Sequence, residues 1–512
     1  MLPAASRALH RVLARRPSNQ TMTWVFVVIG AALRLRQYLF DRSLWNDETQ
    51  LVLNILHRSP ADLLKPLNDY QVAPIGFLWV EKLSVHFLGS SEIVLRLLPF
   101  SCGIGSVFLF VTVARRYLRS SGVPIAVGLF AVSFPLIYYA SEVKPYSSDV
   151  AVALLLYLLT NALFKPNLKA AVLAALVGGV ALWFSFPAVF VLAGIGLAAF
   201  CIGARRLNRS LLLLLSAVAS VWASSFVIFY AISLHSNANI PNLIEDWRAA
   251  YAPLPPTSVS DVLWYKKSFF EIFSFPGGLA LTGIAGVAAV MGANEVRRRD
   301  LSKFLFLILP ILIVVVASSL HHYPFQGRFI LFLTPTLLLF VAEGLESIKQ
   351  TTWVLAPALV VLLIGFLFLD PVLIAARNFT RPEGVEEVRS AIEYIESHRS
   401  PGDILYCYYP ARFPLEYYRE RGRIRPIEQI TGVASREAWQ PYMDDLNKLR
   451  GQKRVWILFS HVWRYSGVDE QALFLNHLDQ IGRRLDGMQA TGAAAFLYDL
   501  SGDGVPGQPN GI

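Results

Sequence analysis

Long apolar stretches recur along the chain as far as Asp370 and then give way to short alternating ones. A helix needs about 17 to 25 mostly apolar residues to cross the hydrocarbon core of a bilayer. Such stretches lie near residues 21–40, 92–113, 123–139, 149–164, 170–184, 187–204, 211–234, 277–293, 304–320, 329–345 and 353–370, which predicts about eleven transmembrane helices. Two segments of the loop after the first span carry a different, amphipathic pattern. In one, Leu51, Val52, Ile55 and Leu56 recur at helical spacing among Gln50, Asn54 and His57. In the other, residues 72–88, Pro74, Ile75, Phe77, Leu78, Trp79 and Leu83 surround Glu81 and Lys82. A charge at the bilayer centre costs about 2.5 to 3.5 kcal/mol, so 72–88 is read as a helix lying on the membrane surface, like its predecessor. Past Pro371 the pattern predicts helix at 383–398, 413–421, 440–449 and 469–481 and strand at 403–409, 454–460 and 494–500. That alternation implies a small α/β domain.

Composition agrees with the pattern: 54% of residues are hydrophobic and 16% charged, with a mean hydropathy of +0.47, whereas soluble domains carry roughly a quarter charged residues. The fold class expected is mainly α, a polytopic α-helical membrane protein. The net charge of +10 does not point to nucleic acid, because the basic residues sit in short clusters between spans. Arg115, Arg116 and Arg119, Lys165 and Lys169, Arg205, Arg206 and Arg209, Arg297 to Arg299, and Lys349 all fall on the side of the basic N-terminus with its Arg7, Arg11, Arg15 and Arg16. The positive-inside rule puts that side in the cytoplasm. No small-residue cleavage site follows the first apolar stretch, so it is read as an uncleaved helix in the plasma (inner) membrane. The expected organisation is a cytoplasmic segment 1–20, a membrane domain 21–370 with its first outer loop at 41–91, an extracytoplasmic α/β domain 371–500 and a disordered tail 501–512. Three cysteines offer neither a disulfide framework nor zinc spacing.

Ionisable residues gather at the outer ends of the spans, in three loops. The first holds Trp45-Asn46-Asp47-Glu48, the second runs from Tyr139 through Glu142, Lys144 and Tyr146 to Asp149, and the third reads His321-His322-Tyr323-Pro324-Phe325-Gln326-Gly327-Arg328. Sugar transfer from a polyprenyl phosphate needs this inventory. The leaving phosphate calls for cations, for which Lys144 and Arg328 are suited. The attacking hydroxyl or amine calls for a carboxylate base, assigned to Asp47 with Glu48 as helper. A single displacement of this kind inverts the anomeric centre. Plainer roles compete: Asp47 and Glu48 as first-turn acids of a helix, Glu142 and Lys144 as an ion pair, Arg34 and Arg36 as residues snorkelling to head groups. Glu92 and Arg96 either pair with each other or place Arg96 beside the acidic loop. His321 and His322 lack ligand spacing. The acidic pair can hold Mg²⁺ or Mn²⁺ together with a substrate phosphate, although nothing in the pattern requires a cofactor.

The stretches Leu44 to Glu48, Gln71-Val72-Ala73-Pro74-Ile75-Gly76-Phe77-Leu78, Glu92 to Pro99, Glu142 to Tyr146 and Tyr323 to Arg328 together resemble the bacterial branch of the protein O-mannosyltransferase superfamily. These are glycosyltransferases of the GT-C fold that use lipid-phosphate sugars, among them aminoarabinose and galacturonic acid transferases acting on lipid A and lipopolysaccharide core. The resemblance covers roughly Thr21 to Glu346. It implies a catalytic aspartate at Asp47 and a polyprenyl-phosphate donor in a cavity open to the bilayer. Arg96, Glu142, Lys144, Tyr146, His322, Tyr323, Gln326 and Arg328 are then the donor-site candidates, and Trp45 and Gln71 candidates for the acceptor or loop. Ala73-Pro74 departs from the His-Pro or Pro-Pro pair of many relatives. The acceptor expected is an extracytoplasmic glycan, lipid or protein. A flippase of lipid-linked sugars is the alternative, disfavoured because transport sites sit near mid-bilayer.

Overall fold

The computed structural model describes residues 18–164, 167–234, 247–351, 356–435, 438–465 and 467–502. The N-terminal arginines, Lys165 and residues 503–512 of the expected tail lie outside them. The chain divides into two compact units, one of residues 1–40, 59–89 and 93–382, the other of residues 41–58, 90–92 and 383–512.

The first unit is helical. Among the described residues, seven helices are long and apolar enough to cross a membrane: Leu97–Tyr117, Tyr146–Leu163, Ala188–Arg205, Arg209–Ser233, Leu301–Ser319, Gly327–Ile348 and Val360–Thr380. An eighth is the pair Gly122–Val132 and Phe134–Ser141, bent by 59°. The break falls at Ser133, which is extended, and Pro135 lies in the first turn of the next helix, where its missing N–H costs nothing. The chain is thus a multi-pass membrane protein, with fewer such helices than the eleven expected. Three expected spans do form helices but fall short of that standard. Asn19–Tyr38 carries Arg34, Arg36 and Gln37 in its last turns, Leu168–Phe184 has 17 residues, and Thr282–Arg299 ends on Arg297, Arg298 and Arg299. The last helix, Ala356–Thr380, runs past the expected end at 370 with Pro371 inside it, a position membrane helices tolerate.

Close packing in this unit depends on glycine. A Cβ on Gly292 would stand 1.9 Å from the Phe340 carbonyl oxygen and one on Gly344 1.8 Å from that of Ala288, so helices Thr282–Arg299 and Thr334–Thr351 meet backbone to backbone. At one end of that pair the buried Glu343 accepts from Arg299 at 2.5 Å and from the Arg119 backbone N–H at 3.2 Å. The loop helix Ile75–Leu88 has 14 residues, about 21 Å at 1.5 Å per residue, too short to cross. It exposes Trp79, Leu83, Phe87 and Leu88 and buries Ile75, Phe77, Leu78 and Glu81, an apolar outer stripe of the kind that lies in lipid. A second surface helix, Val259–Ser274, was not predicted; it exposes Val259, Val262 and Leu263.

The second unit is a five-stranded sheet of order β2-β1-β3-β7-β6, with β1 Ile404–Cys407, β2 Glu428–Thr431, β3 Val455–Ser460, β6 Arg483–Ala490 and β7 Ala493–Asp499. A short hairpin, β4 Arg464–Tyr465 and β5 Val468–Asp469, stands apart. β1 pairs in parallel with β2 and β3, and β7 runs antiparallel to β3 and β6. Helices Val388–His398, Arg412–Glu420, Gln440–Asn447 and Glu470–Ile481 complete the unit. The sheet edges β2 and β6 were not predicted, because neither carries an apolar run: their sequences are EQIT and RRLDGMQA. The first-loop helix Asn46–His57 also belongs to this unit and packs on Arg412–Glu420. Its Leu51, Val52 and Ile55 are fully buried, so protein rather than lipid covers the face expected to lie on the membrane.

Candidate active site

The candidate residues fall in both units, and each group is described within its own. In the second unit, Asp47 and Glu48 are the second and third residues of helix Asn46–His57. Glu48 is fully buried, accepts the Trp45 N–H at 3.4 Å and faces the equally buried Arg42 at 3.5 Å. Asp47 is only half-buried. The approach to the helix is tied down residue by residue. Arg389 donates to the Asp41 carbonyl and, at 3.2 Å, to its carboxylate. Ser43 Oγ donates to Glu387 at 3.0 Å, and the Leu44 N–H to the Tyr418 hydroxyl at 3.0 Å. Burial first, and the charge of Glu92 next, push the Tyr418 phenol well up, so it stays a neutral hydroxyl. The Asn46 N–H donates to Glu386 at 3.1 Å.

Glu386 also accepts from Ser460 Oγ at 2.9 Å and sits 2.7 Å from His461 Nδ1. Ser460 and His461 lie at the carboxyl end of β3, and His461 takes the left-handed conformation, φ 56°, that a non-glycine residue holds only when its surroundings fix it. The chain passes from β1 to β2 on one side and then to β3 on the other, so this is the switch point where open α/β sheets place ligands. The Trp45 and His461 rings are 5.9 Å apart, those of His461 and Trp463 5.2 Å.

In the first unit, three loop segments meet. Lys144 Nζ, nearly buried, donates to Gln71 Oε1 at 2.6 Å. Arg328 lies 5.4 Å over the Tyr146 ring and 5.9 Å over Phe329. Tyr323 donates to the Phe329 carbonyl at 2.8 Å, and burial, then Asp149, push its phenol well up. Glu142 is 1% exposed, and its carbonyl accepts the Lys144 N–H at 2.7 Å in a tight turn. Arg96, also buried, is the residue just before helix Leu97–Tyr117, and its side chain makes no capping hydrogen bond there. Gln326 and His322 are exposed.

Some expectations change. Arg34 does not snorkel: it is 1% exposed, donates to the Gly30, Phe130 and Ala131 carbonyls and lies 5.3 Å over the Phe130 ring. Glu92 pairs with Arg389 at 3.0 Å. The cation beside Glu48 is Arg42, which carries no motif signal. Among the described residues, one group of three, His57, Glu416 and Glu420, all exposed, has side-chain atoms close enough together to hold a metal ion. Glu386, Arg389 and His461 were missed, since each acts through contacts more than 70 residues away in sequence.

Residues 72–229 match the family described as dolichyl-phosphate-mannose-protein mannosyltransferase. No curated protein sequence matches the chain. Among solved structures, ArnT from Cupriavidus metallidurans in the apo state aligns over 93% of this chain and 97% of that one, at 12% identity and a TM-score of 0.52. The Archaeoglobus fulgidus oligosaccharyltransferase, solved as a complex with Zn and sulfate, aligns over 93% of this chain and 73% of that one, at 11% identity and a TM-score of 0.50. At such identities the likeness is one of fold. Over residues 72–229 the chain is similar to that mannosyltransferase family, and over 93% of its length it shares the fold of these two solved structures.

Proposed function

We propose that the protein transfers one sugar from a polyprenyl-phosphate carrier to an acceptor on the non-cytoplasmic side of the plasma membrane, with inversion at the anomeric carbon. The observation that carries this reading is the convergence of three loops on two cations, Lys144 held by Gln71 and Arg328 held over Tyr146. A phosphate leaving group gains most from such preorganised charge, since charge-assisted bonds are about twice as strong as neutral ones. The match to a family named for a dolichyl-phosphate sugar supports a lipid-phosphate donor.

Asp47 takes the proton of the attacking hydroxyl or amine as the new glycosidic bond forms and the bond to phosphate breaks. The phosphate leaves as the carrier monophosphate, its charge met by Lys144 and Arg328. Glu48, paired with Arg42, shapes the turn that presents Asp47. Tyr146, Tyr323 and Gln326 serve the donor sugar and phosphate, and Arg96, Glu142 and His322 complete that side. Lipid A, another glycan or a protein is the acceptor class, and a divalent ion at the acidic pair remains part of the proposal.

The test is transfer of radiolabelled sugar from a panel of polyprenyl-phosphate donors to membrane acceptors by purified protein, with and without a chelator. Transfer abolished by Asp47→Asn at unchanged thermal stability is expected; a variant as active as wild type would sink the assignment. Movement of labelled carrier between leaflets with no sugar transferred would establish a flippase instead.

A further inference from the structure

Glu386 belongs to none of the loop motifs, yet it is the most heavily engaged carboxylate around the acidic helix. It is 4% exposed. Oε2 accepts the Asn46 N–H at 3.1 Å and Ser460 Oγ at 2.9 Å, and Oε1 lies 2.7 Å from His461 Nδ1. The Asn46 N–H is one of the four donors that a helix start leaves without an intrahelical partner, and a carboxylate placed there also meets the positive end of the helix dipole. Asp47 is the next residue.

Glu386 is itself held from behind. Gly492, in the turn between β6 and β7, has φ +64°, and a Cβ there would come within 2.4 Å of the Val385 carbonyl oxygen and 2.9 Å of Glu386 Cγ. The Glu387 N–H donates to the Thr491 carbonyl at 2.7 Å. The hairpin therefore backs directly onto Val385 to Glu387, while Ser460 and His461 grip the carboxylate from the end of β3. A group fixed by a sheet on one side and bonded to the first amide of a helix on the other sets the direction in which that helix leaves.

The geometry points to Glu386 as a positioning residue for Asp47: the α/β unit fixes the first turn of the acidic helix through one carboxylate, and so aims the proposed base. This rests on the reading of Asp47 as the base. Positioning and plain stability predict different results. A base displaced by about 1 Å costs on the order of 100-fold in turnover, with the donor side untouched, whereas a merely structural role lowers the melting temperature and leaves the surviving protein fully active.

The experiment measures kcat and KM for the donor, melting temperature, and hydrogen–deuterium exchange over residues 44–50, in wild type, Glu386→Ala and Glu386→Gln. Expected for Glu386→Ala is a kcat lowered about 100-fold, a donor KM within about twofold of wild type, and faster exchange over 44–50. Glu386→Gln keeps an oxygen acceptor for the Asn46 N–H, and should regain most of the kcat and the slow exchange. The inference is overturned if Glu386→Ala keeps the wild-type kcat, if Gln fails to rescue where Ala fails, or if exchange over 44–50 is the same in all three. Wild-type protein that transfers no sugar from any donor overturns the reading of Asp47 instead. The exchange pattern then still decides whether Glu386 anchors the helix.

Discussion

Asp47 and Glu48 are neighbours in sequence with unlike surroundings. Glu48 is sealed in beside Arg42, and Asp47 is half-open. Glu48→Ala leaves the buried Arg42 without that partner, which should cost about 3 kcal/mol in stability, read as a lowered melting temperature, whereas Asp47→Asn should leave the melting curve in place. Equal losses from both would erase the distinction. On the donor side, Lys144→Ala and Arg328→Ala should each lower kcat/KM about 10- to 150-fold, the worth of a charged hydrogen bond; unchanged values would remove them from the phosphate site. Glu81 carries a pH prediction. Neither of its carboxyl oxygens has a hydrogen-bond partner among the described residues, and burial holds the group well above the usual carboxylate range. Its protonated form is the one the fold tolerates. The associated stability is fully present below the unfolded value of about 4.3 and is lost as pH rises through the folded value. Wild-type melting temperature should therefore fall behind that of Glu81→Gln as pH is raised, and parallel curves would refute this.

At the level of elements, the helix pair Thr282–Arg299 and Thr334–Thr351 depends on two glycines whose positions admit no side chain. Gly344→Leu should prevent the pair from closing, seen as loss of monodisperse protein in detergent, while Gly283→Leu, with nothing within 4 Å of its Cβ position, should be tolerated. The same outcome for both would mean the close approach is unimportant. Apolar length located a helix at each expected span, because hydrophobic length and helical periodicity are local properties of sequence. What it did not show was how a charge inside such a helix is satisfied. Asn19–Tyr38 shows why: Arg34 is satisfied by carbonyls of residues 30, 130 and 131, and no window around residue 34 contains that information. Edge strands β2 and β6 escaped for the complementary reason, since their pairing lies in the backbone of β1 and β7 rather than in their own side chains.

For the whole molecule, the telling fact is that residues 41–58 leave the membrane unit and join the α/β unit. A fragment of 383–502 alone should melt lower, or aggregate, compared with one carrying 41–58 on a flexible linker, since it lacks the helix that packs on Arg412–Glu420. Equal stability would show that the helix contributes nothing to the unit. The motif order along the chain singled out Gln71, Lys144, Tyr146 and Arg328, which the structure brings together in two contacts, because they lie beside the spans that carry them. Glu386, Arg389 and Tyr418 were not legible, because they act on residues 340, 348 and 374 positions earlier. The contact between Ser43 and Glu387 spans 344 residues, and at ribosomal rates of about 5 to 20 residues per second that gap lasts roughly 17 to 70 s. During that time the membrane helices are made one after another while nothing yet holds the acidic segment in register. A chain ended between Thr380 and Glu386 would carry every membrane helix and the acidic helix but neither Glu386 nor Arg389, so the last stretch of synthesis supplies what ties Asn46–His57 down.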